Sequence, residues 1–377
     1  MPERKRKVVY LIGTGASHAE LKYRDPANTG LLMSNVVQGV FNSLANSNER
    51  DPSIRELLNI LDIGEPDPYK GIDIENIITL YESTGTAVDR KRANKLKKLF
   101  RTFITDNIDK IKHLDGHPKL LTALIDMYNV KRIDEKLHGI ITINYDDFIE
   151  GALMNIYDGI NYPFEVDKGS NSYKSNNKLA PLCKLHGSFS WENTNPVKVK
   201  PDLKVGNEDQ LLWVPPGVIK RNDHYPFNAI WGTARRFLKC DILRIIGCSL
   251  NKNDWSLITL LHTTKRLRND ISEKYSIEYI GFPTAYKKFN NEFPYFEIRQ
   301  ITELEEFKKY MEKEYKEQYI LAEGDSEKEK MNNWLIEKRG SFNIFLEWLK
   351  AKAYYYRVEK LMDISTDKHY FETMYFG

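Results

Sequence analysis

Apolar positions along the chain fall into two patterns. The first is the short unbroken run. Lys7–Gly13 reads KVVYLIG, rich in β-branched residues and ending in glycine, as a strand buried on both faces of a parallel sheet should. Gly139–Asp147 (GIITINYDD), Leu179–Leu185, Ile242–Gly247 and Ile277–Gly281 repeat that form, and Leu211–Val214 predicts a short strand stopped by Pro215-Pro216-Gly217. Phe296–Ile301 predicts a last strand. The second pattern is helical spacing. It marks Ile74–Tyr81, Leu96–Ile111, Leu120–Tyr128, Phe227–Lys239 and Trp255–Arg268 as helices with one apolar face. Residues 18–35, with Asp25-Pro26 and Gly30, predict a loop over the site, and residues 158–178 and 192–210 predict further loops.

This order predicts an α/β protein: a Rossmann-like doubly wound parallel sheet with a helical insertion and a helical C-terminal extension. The expected sheet domain spans 1–34 and 138–302, the insertion 35–137, and the charged, aromatic-rich extension 303–377.

Composition narrows the class. The chain has 377 residues, is 41% hydrophobic and carries a net charge of +3, too small an excess to point to nucleic acid. Its three cysteines include no C-x-x-C pair, so a four-cysteine zinc site cannot be assembled. No apolar run approaches the roughly 18–20 residues of a membrane helix. The expectation is a cytoplasmic protein with no membrane association and no bound metal.

Four strand ends carry candidate chemistry. Gly13, Thr14, Gly15, Ala16 and Ser17 follow the first strand, where glycines allow close approach of a diphosphate, with a tight turn as the plain alternative. Ser17 is expected to cap the following helix, and His18 can line the pocket. Asn144 and Asp146 follow the second strand with period-two spacing, suited to ribose hydroxyls, with an Asx turn ending the strand as the plain alternative. His186, followed by Gly187, stands at the end of the Leu179–Leu185 strand, where an imidazole either moves a proton or makes a structural bond. Gly247, Ser249 and Leu250, with Asp254 beyond, end a further strand. His113 and His117 lack a partner to complete a metal set and are expected on the surface.

Taken in order, strand-GTGAS, strand-TINYD, strand-LHGS and strand-GCSL resemble the sirtuin superfamily, whose members carry G-A-G-x-S, T-Q-N-x-D, H-G and G-T/Y-S-L segments over about residues 8–283 here. The chain is similar above all to the sirtuin-like NAD hydrolases of bacterial antiphage defence systems, in which G-x-S-L-x-x-x-D and V-P-P (here Val214-Pro215-Pro216) recur. The resemblance implies NAD as substrate. Gly13–Ser17 would hold the diphosphate, Gly247, Ser249 and Leu250 the adenosine half, Asn144 and Asp146 the nicotinamide ribose, and His186 would be the base. It also implies a homo-oligomer partnered with a HerA-type ATPase or another sensor. Ile143 stands where deacylases carry glutamine, and the zinc ribbon is missing. Protein deacylation and NAD or ADP-ribose sensing without turnover are the alternatives.

Overall fold

The computed structural model describes residues 5–46, 73–112, 118–129, 135–167, 179–200, 210–216, 223–249, 254–269, 275–281 and 283–301, together with Lys309, Phe342, Phe345, Leu346 and Leu349. The expectations for His113, His117, Leu250 and most of the C-terminal extension lie outside these residues.

The apolar runs become the strands of a seven-stranded parallel sheet. In chain order these are β1 (Arg6–Ile12), β2 (Glu135–Thr142), β3 (Gly159–Asn161), β4 (Leu179–Lys184), β8 (Ile242–Ile246), β9 (Ser276–Ile280) and β10 (Arg299–Gln300). Their spatial order is β10-β9-β8-β1-β2-β4-β3. The chain therefore builds outwards from β1 in one direction, then returns to build from β8 in the other. Between β1 and β8 lies the topological switch point, where open α/β sheets leave a crevice at the carboxyl ends of their strands. Register brings the key ends level: Ile12 pairs with both Thr142 and Ile246, and Thr142 pairs with Lys184.

The helices α1 (Thr14–Arg24), α2 (Met33–Asn46), α3 (Ile74–Ser83), α4 (Ala87–Lys112) and α5 (Leu120–Asn129) fall between β1 and β2. Helix α6 (Phe148–Ile156) follows β2, α7 (Phe227–Phe237) precedes β8, and α8 (Trp255–Asn269) and α9 (Pro283–Glu292) flank β9. The predicted loop over 18–35 is corrected. Helix α1 runs on to Arg24, because Ala16 and Leu21 bury against the core while the polar residues between them face outwards or find partners. A small antiparallel sheet stands beside the main one. It comprises β5 (Gly187–Glu192), β6 (Lys198–Val199) and β7 (Leu211–Trp213), in the spatial order β6-β5-β7. Strand β7 falls on the predicted Leu211–Val214 strand, whereas β6 falls within the predicted 192–210 loop and β5 on no predicted element.

Two buried polar clusters lock the layers. Arg244 on β8 is 1% exposed. Its guanidinium donates to Glu278 Oε2 at 2.8 Å and to both carboxylate oxygens of Glu135 at 2.6 and 2.9 Å. Tyr10 and Tyr128 complete the set, and the ring of Phe345 lies 5.6 Å from the guanidinium carbon. Burial pushes the Tyr10 hydroxyl up to about 12, so it remains a neutral donor. Glu20 of α1 is fully buried and accepts the amides of Lys119, Leu120 and Leu121, capping α5 from outside its own segment.

Candidate active site

The turn after β1 meets the turn after β8. The Gly13 amide donates to Ile246 O at 2.9 Å, and the Gly15 amide to Gly247 O at 2.8 Å. Gly247 has φ +59°, and a Cβ there would lie 2.3 Å from the amide nitrogen of Ala16. The glycines of both motifs are thus required by the contact between the two turns. Gly13 is the N-cap residue of α1 and makes no side-chain cap bond. Ser17 lies inside the first turn, so the expected cap is corrected. Its hydroxyl points across the crevice, since helical side chains in the first turn project beside the preceding strand end.

There it meets the second motif. Ser17 Oγ donates to Asp146 Oδ2 at 2.7 Å and accepts from Asn144 Nδ2 at 2.9 Å. The other Nδ2 hydrogen of Asn144 goes to Gly13 O at 3.0 Å. Gly13 O can only accept, so the amide orientation is fixed by this bond. Asn144 Oδ1 is left buried with no hydrogen-bond partner among the described residues. Period-two spacing sends Asn144 and Asp146 to the same neighbour, as predicted. Tyr145 points the other way, stacking on Phe189 at 5.1 Å and meeting Trp213 at 5.3 Å and Phe100 at 6.0 Å. Its hydroxyl donates to Val214 O at 2.8 Å. Helix α4 thereby packs, through Phe100, against the segment that carries Asn144 and Asp146.

His186 occupies the turn between β4 and β5 and is 4% exposed. Its carbonyl accepts from the Val214 amide at 2.8 Å, and its ring lies 6.2 Å from that of Tyr145. Nε2 is 3.8 Å from Asp254 Oδ1, the acid at the start of α8. Gly187 has φ +74°, and a Cβ there would lie 2.3 Å from Leu212 O; only glycine lets the chain turn from β4 into β5 directly after the histidine.

Behind Asp146 lies a residue set that motif reading missed. Lys184, fully buried on β4, donates to Asp146 O and to Glu150 Oε1. Burial raises the Asp146 carboxyl, while Lys184 and the Ser17 hydroxyl pull it back. Burial likewise carries Glu150 up to about 7, against the opposing pull of Lys184. A lysine inside an otherwise apolar strand was the visible signal, because an unpaired buried ammonium is costly. The pairing of His186 with Asp254 carried no local signal.

Of the remaining predicted residues, Ser249 is exposed beyond Gly247. His18 is half-buried, and its Nδ1 accepts the Leu31 amide, so it holds the segment after α1 in place. A separate cavity of about 520 Å³ lies between α7 and α8, lined by Trp231, Arg235 and Trp255 among others. None of the predicted site residues lines it.

The fold and the site together define an α/β protein with a buried Ser–Asn–Asp cluster and a histidine at the strand ends beside its switch point. Residues 138–291 match the family model of the SIR2-like domain; the match includes Asn144, Asp146, His186, Gly247 and Ser249, and Gly13–Ser17 precedes it. Comparison with curated proteins gives no match. Among solved structures, the chain is similar to a Sir2 homolog in complex with NAD, at 15% identity and TM-score 0.35, covering 73% of this chain and 77% of that one. It is also similar to Sir2Tm bound to a propionylated peptide, at 14% identity and TM-score 0.34, covering 76% and 93%. No helix among the described residues is long and apolar enough to cross a membrane, and none of their His, Cys, Asp and Glu side chains group into a metal site.

Proposed function

We propose that the chain cleaves NAD+ with water, releasing nicotinamide and ADP-ribose. The observation that carries this reading is Asn144 Oδ1. A buried carbonyl oxygen with no partner costs free energy unless a ligand satisfies it, and the two bonds made by the amide nitrogen of Asn144 leave its oxygen without a partner among the described residues. It suits a ribose hydroxyl or the attacking water. The SIR2-like domain match and the four motifs support the nicotinamide ribose of NAD+ as the sugar.

In this reading the bond between the ribose and nicotinamide breaks, and its electron pair leaves with nicotinamide. Positive charge develops on the ribose ring, as in other glycosidic cleavages. A water molecule adds to that carbon, aligned by Asn144. His186 takes the proton this water sheds, with Asp254 beside it to stabilise the charged imidazole. Asp146 acts through Ser17, setting the orientation of the asparagine.

Incubating the purified protein with NAD+ and following nicotinamide by chromatography tests the reading. Asn144→Ala and His186→Ala should each abolish release while circular dichroism stays unchanged. Undiminished turnover in both variants refutes the assignment, and O-acetyl-ADP-ribose formed from an acetylated peptide would redirect it to deacylation. Binding of NAD without loss of it would make the protein a sensor.

The sequence resemblance extends the proposal to an NAD-depleting effector of a bacterial antiphage system, homo-oligomeric and held in check by a HerA-type ATPase or another sensor. Uncontrolled hydrolysis of NAD would kill the host, which is the reason to expect such control.

A further inference from the structure

Asn144 and His186 follow neighbouring strands, but the sheet does not itself fix the distance between them. The β2–β4 ladder ends with the Leu185 amide donating to Thr142 O at 2.8 Å. Beyond that bond the two segments part, one into the loop before α6 and the other into the turn before β5. A reaction that uses both side chains needs their separation held closely, since a misplacement of about 1 Å costs roughly a hundredfold in rate.

Tyr145, between Asn144 and Asp146, contacts the histidine turn at both of its ends. Its carbonyl accepts the Phe189 amide and the Ser188 hydroxyl, each at 3.1 Å. Its own hydroxyl donates to Val214 O at 2.8 Å, and the Val214 amide donates to His186 O at 2.8 Å. Val214 O can only accept, so the direction of the tyrosine bond is fixed. These bonds close a circuit. It runs from the Tyr145 hydroxyl through Val214 to His186, along the chain to Ser188 and Phe189, and back to the Tyr145 carbonyl. Asn144 is the residue next to one corner of that circuit, and His186 is another corner.

We infer that Tyr145 is a positioning residue whose hydroxyl, acting through Val214, sets the spacing between Asn144 and His186. This rests on the NAD reading for what the two side chains then do, but not for the contacts that hold them.

The sequence prepares both ends of the contact. Val214 is buried and precedes Pro215-Pro216. A proline holds the residue before it in an extended conformation and offers no amide hydrogen of its own, so the Val214 carbonyl is presented in one direction. A buried carbonyl needs a donor, and the tyrosine supplies it. At the other end the ring is gripped on three sides. Phe189 stacks on it at 5.1 Å with the planes 16° apart, and Trp213 and Phe100 meet it edge-on at 5.3 and 6.0 Å. Phe189 lies in the strand that follows the histidine, and Trp213 is next to Val214. Ring and hydroxyl therefore hold the same two segments. A phenylalanine at this position keeps the ring packing and loses only the bond to Val214, which separates the two contributions.

The test compares Tyr145→Phe with Tyr145→Leu in the full chain. Tyr145→Phe should lower kcat for nicotinamide release about fivefold to tenfold, the factor that one hydrogen bond contributes, and change KM for NAD+ less than about twofold. Tyr145→Leu, which also removes the ring, should lose more. Amide hydrogen exchange followed by 15N NMR reads the tie itself. The Val214 amide should exchange about fivefold to tenfold faster in Tyr145→Phe, while that of Leu243 in the middle of β8 keeps its parent rate. A tyrosine that serves only by packing would lose activity as leucine and not as phenylalanine, and that result overturns the inference. So does a loss confined to KM, or an unchanged Val214 exchange rate in Tyr145→Phe. Absence of nicotinamide release from the unsubstituted protein overturns the NAD reading instead, and the exchange rates still decide whether Tyr145 holds the histidine turn.

Discussion

Adding a single methyl group at Gly247 should separate the two turns on which the site is built. The residue has φ +59°, a region that costs an alanine roughly 1–2 kcal/mol. The new Cβ would lie 2.3 Å from Ala16 N and 2.6 Å from Gly15 C, backbone atoms that cannot rotate away. Displacing them adds roughly 1–3 kcal/mol, the usual cost of overpacking a tight interior. Gly247→Ala should therefore lose about 2–5 kcal/mol, a large part of the roughly 5–15 kcal/mol that holds a typical protein folded. Gly232 provides the control. It lies inside α7, and a methyl group added there would meet nothing within 4 Å, so Gly232→Ala should stabilise by roughly 0.5–1 kcal/mol through helix propensity. Urea unfolding of the two variants beside the parent protein measures both values. Because the displaced backbone carries Ser17, nicotinamide release should fall in Gly247→Ala and stay constant in Gly232→Ala. A Gly247→Ala protein within about 0.5 kcal/mol of the parent, or equal destabilisation by both substitutions, would refute the turn-to-turn contact.

Glu20→Ala removes the acceptor for three amides at the start of α5 and should cost about 2–3 kcal/mol in urea unfolding, since buried donors left unpaired are penalised in that range; a cost below about 0.5 kcal/mol, the scale of an ordinary surface substitution, would contradict the cap. Glu150 makes stability depend on pH. Its folded value of about 7 exceeds the ordinary 4.5, so the folded state binds the extra proton and stability falls as pH rises between those values, by about 3 kcal/mol. Unfolding midpoints compared at about pH 5 and pH 8, either side of most of that window, should therefore differ less in Glu150→Gln than in the parent protein; an unchanged difference would show that Glu150 titrates normally.

The sheet was legible because strands buried on both faces must be apolar throughout. β1, β2, β4, β8 and β9 announce themselves as such runs, and the glycines that follow β1 and β8 mark the crevice. Asn144 and Asp146 were legible for a related reason: alternation along an extended chain aims both at one neighbour. Helix α1 was not, because TGASHAELKYR has little apolar content and owes its place to Ala16, Leu21 and the buried Glu20. Strand β5 of the small sheet escaped notice because GSFSWE has alternating residues that nearly all become buried, so the contrast between its two faces disappears. Lys184 was visible as a charge in an apolar strand, but its partner Glu150 lies 34 positions away. The approach of Asp254 to His186 is likewise a product of the sheet's order, which no local pattern encodes.

Helix α1 faces two ways at once. Ser17 reaches the asparagine and aspartate at the crevice, and Glu20, three residues on and about 4.5 Å further along the axis, grips the start of α5. The helices between β1 and β2 and the candidate site are therefore mounted on the same short rod. Whatever tilts those helices also turns the serine, and a contact made far out on them has a mechanical route to the amide that would greet the sugar.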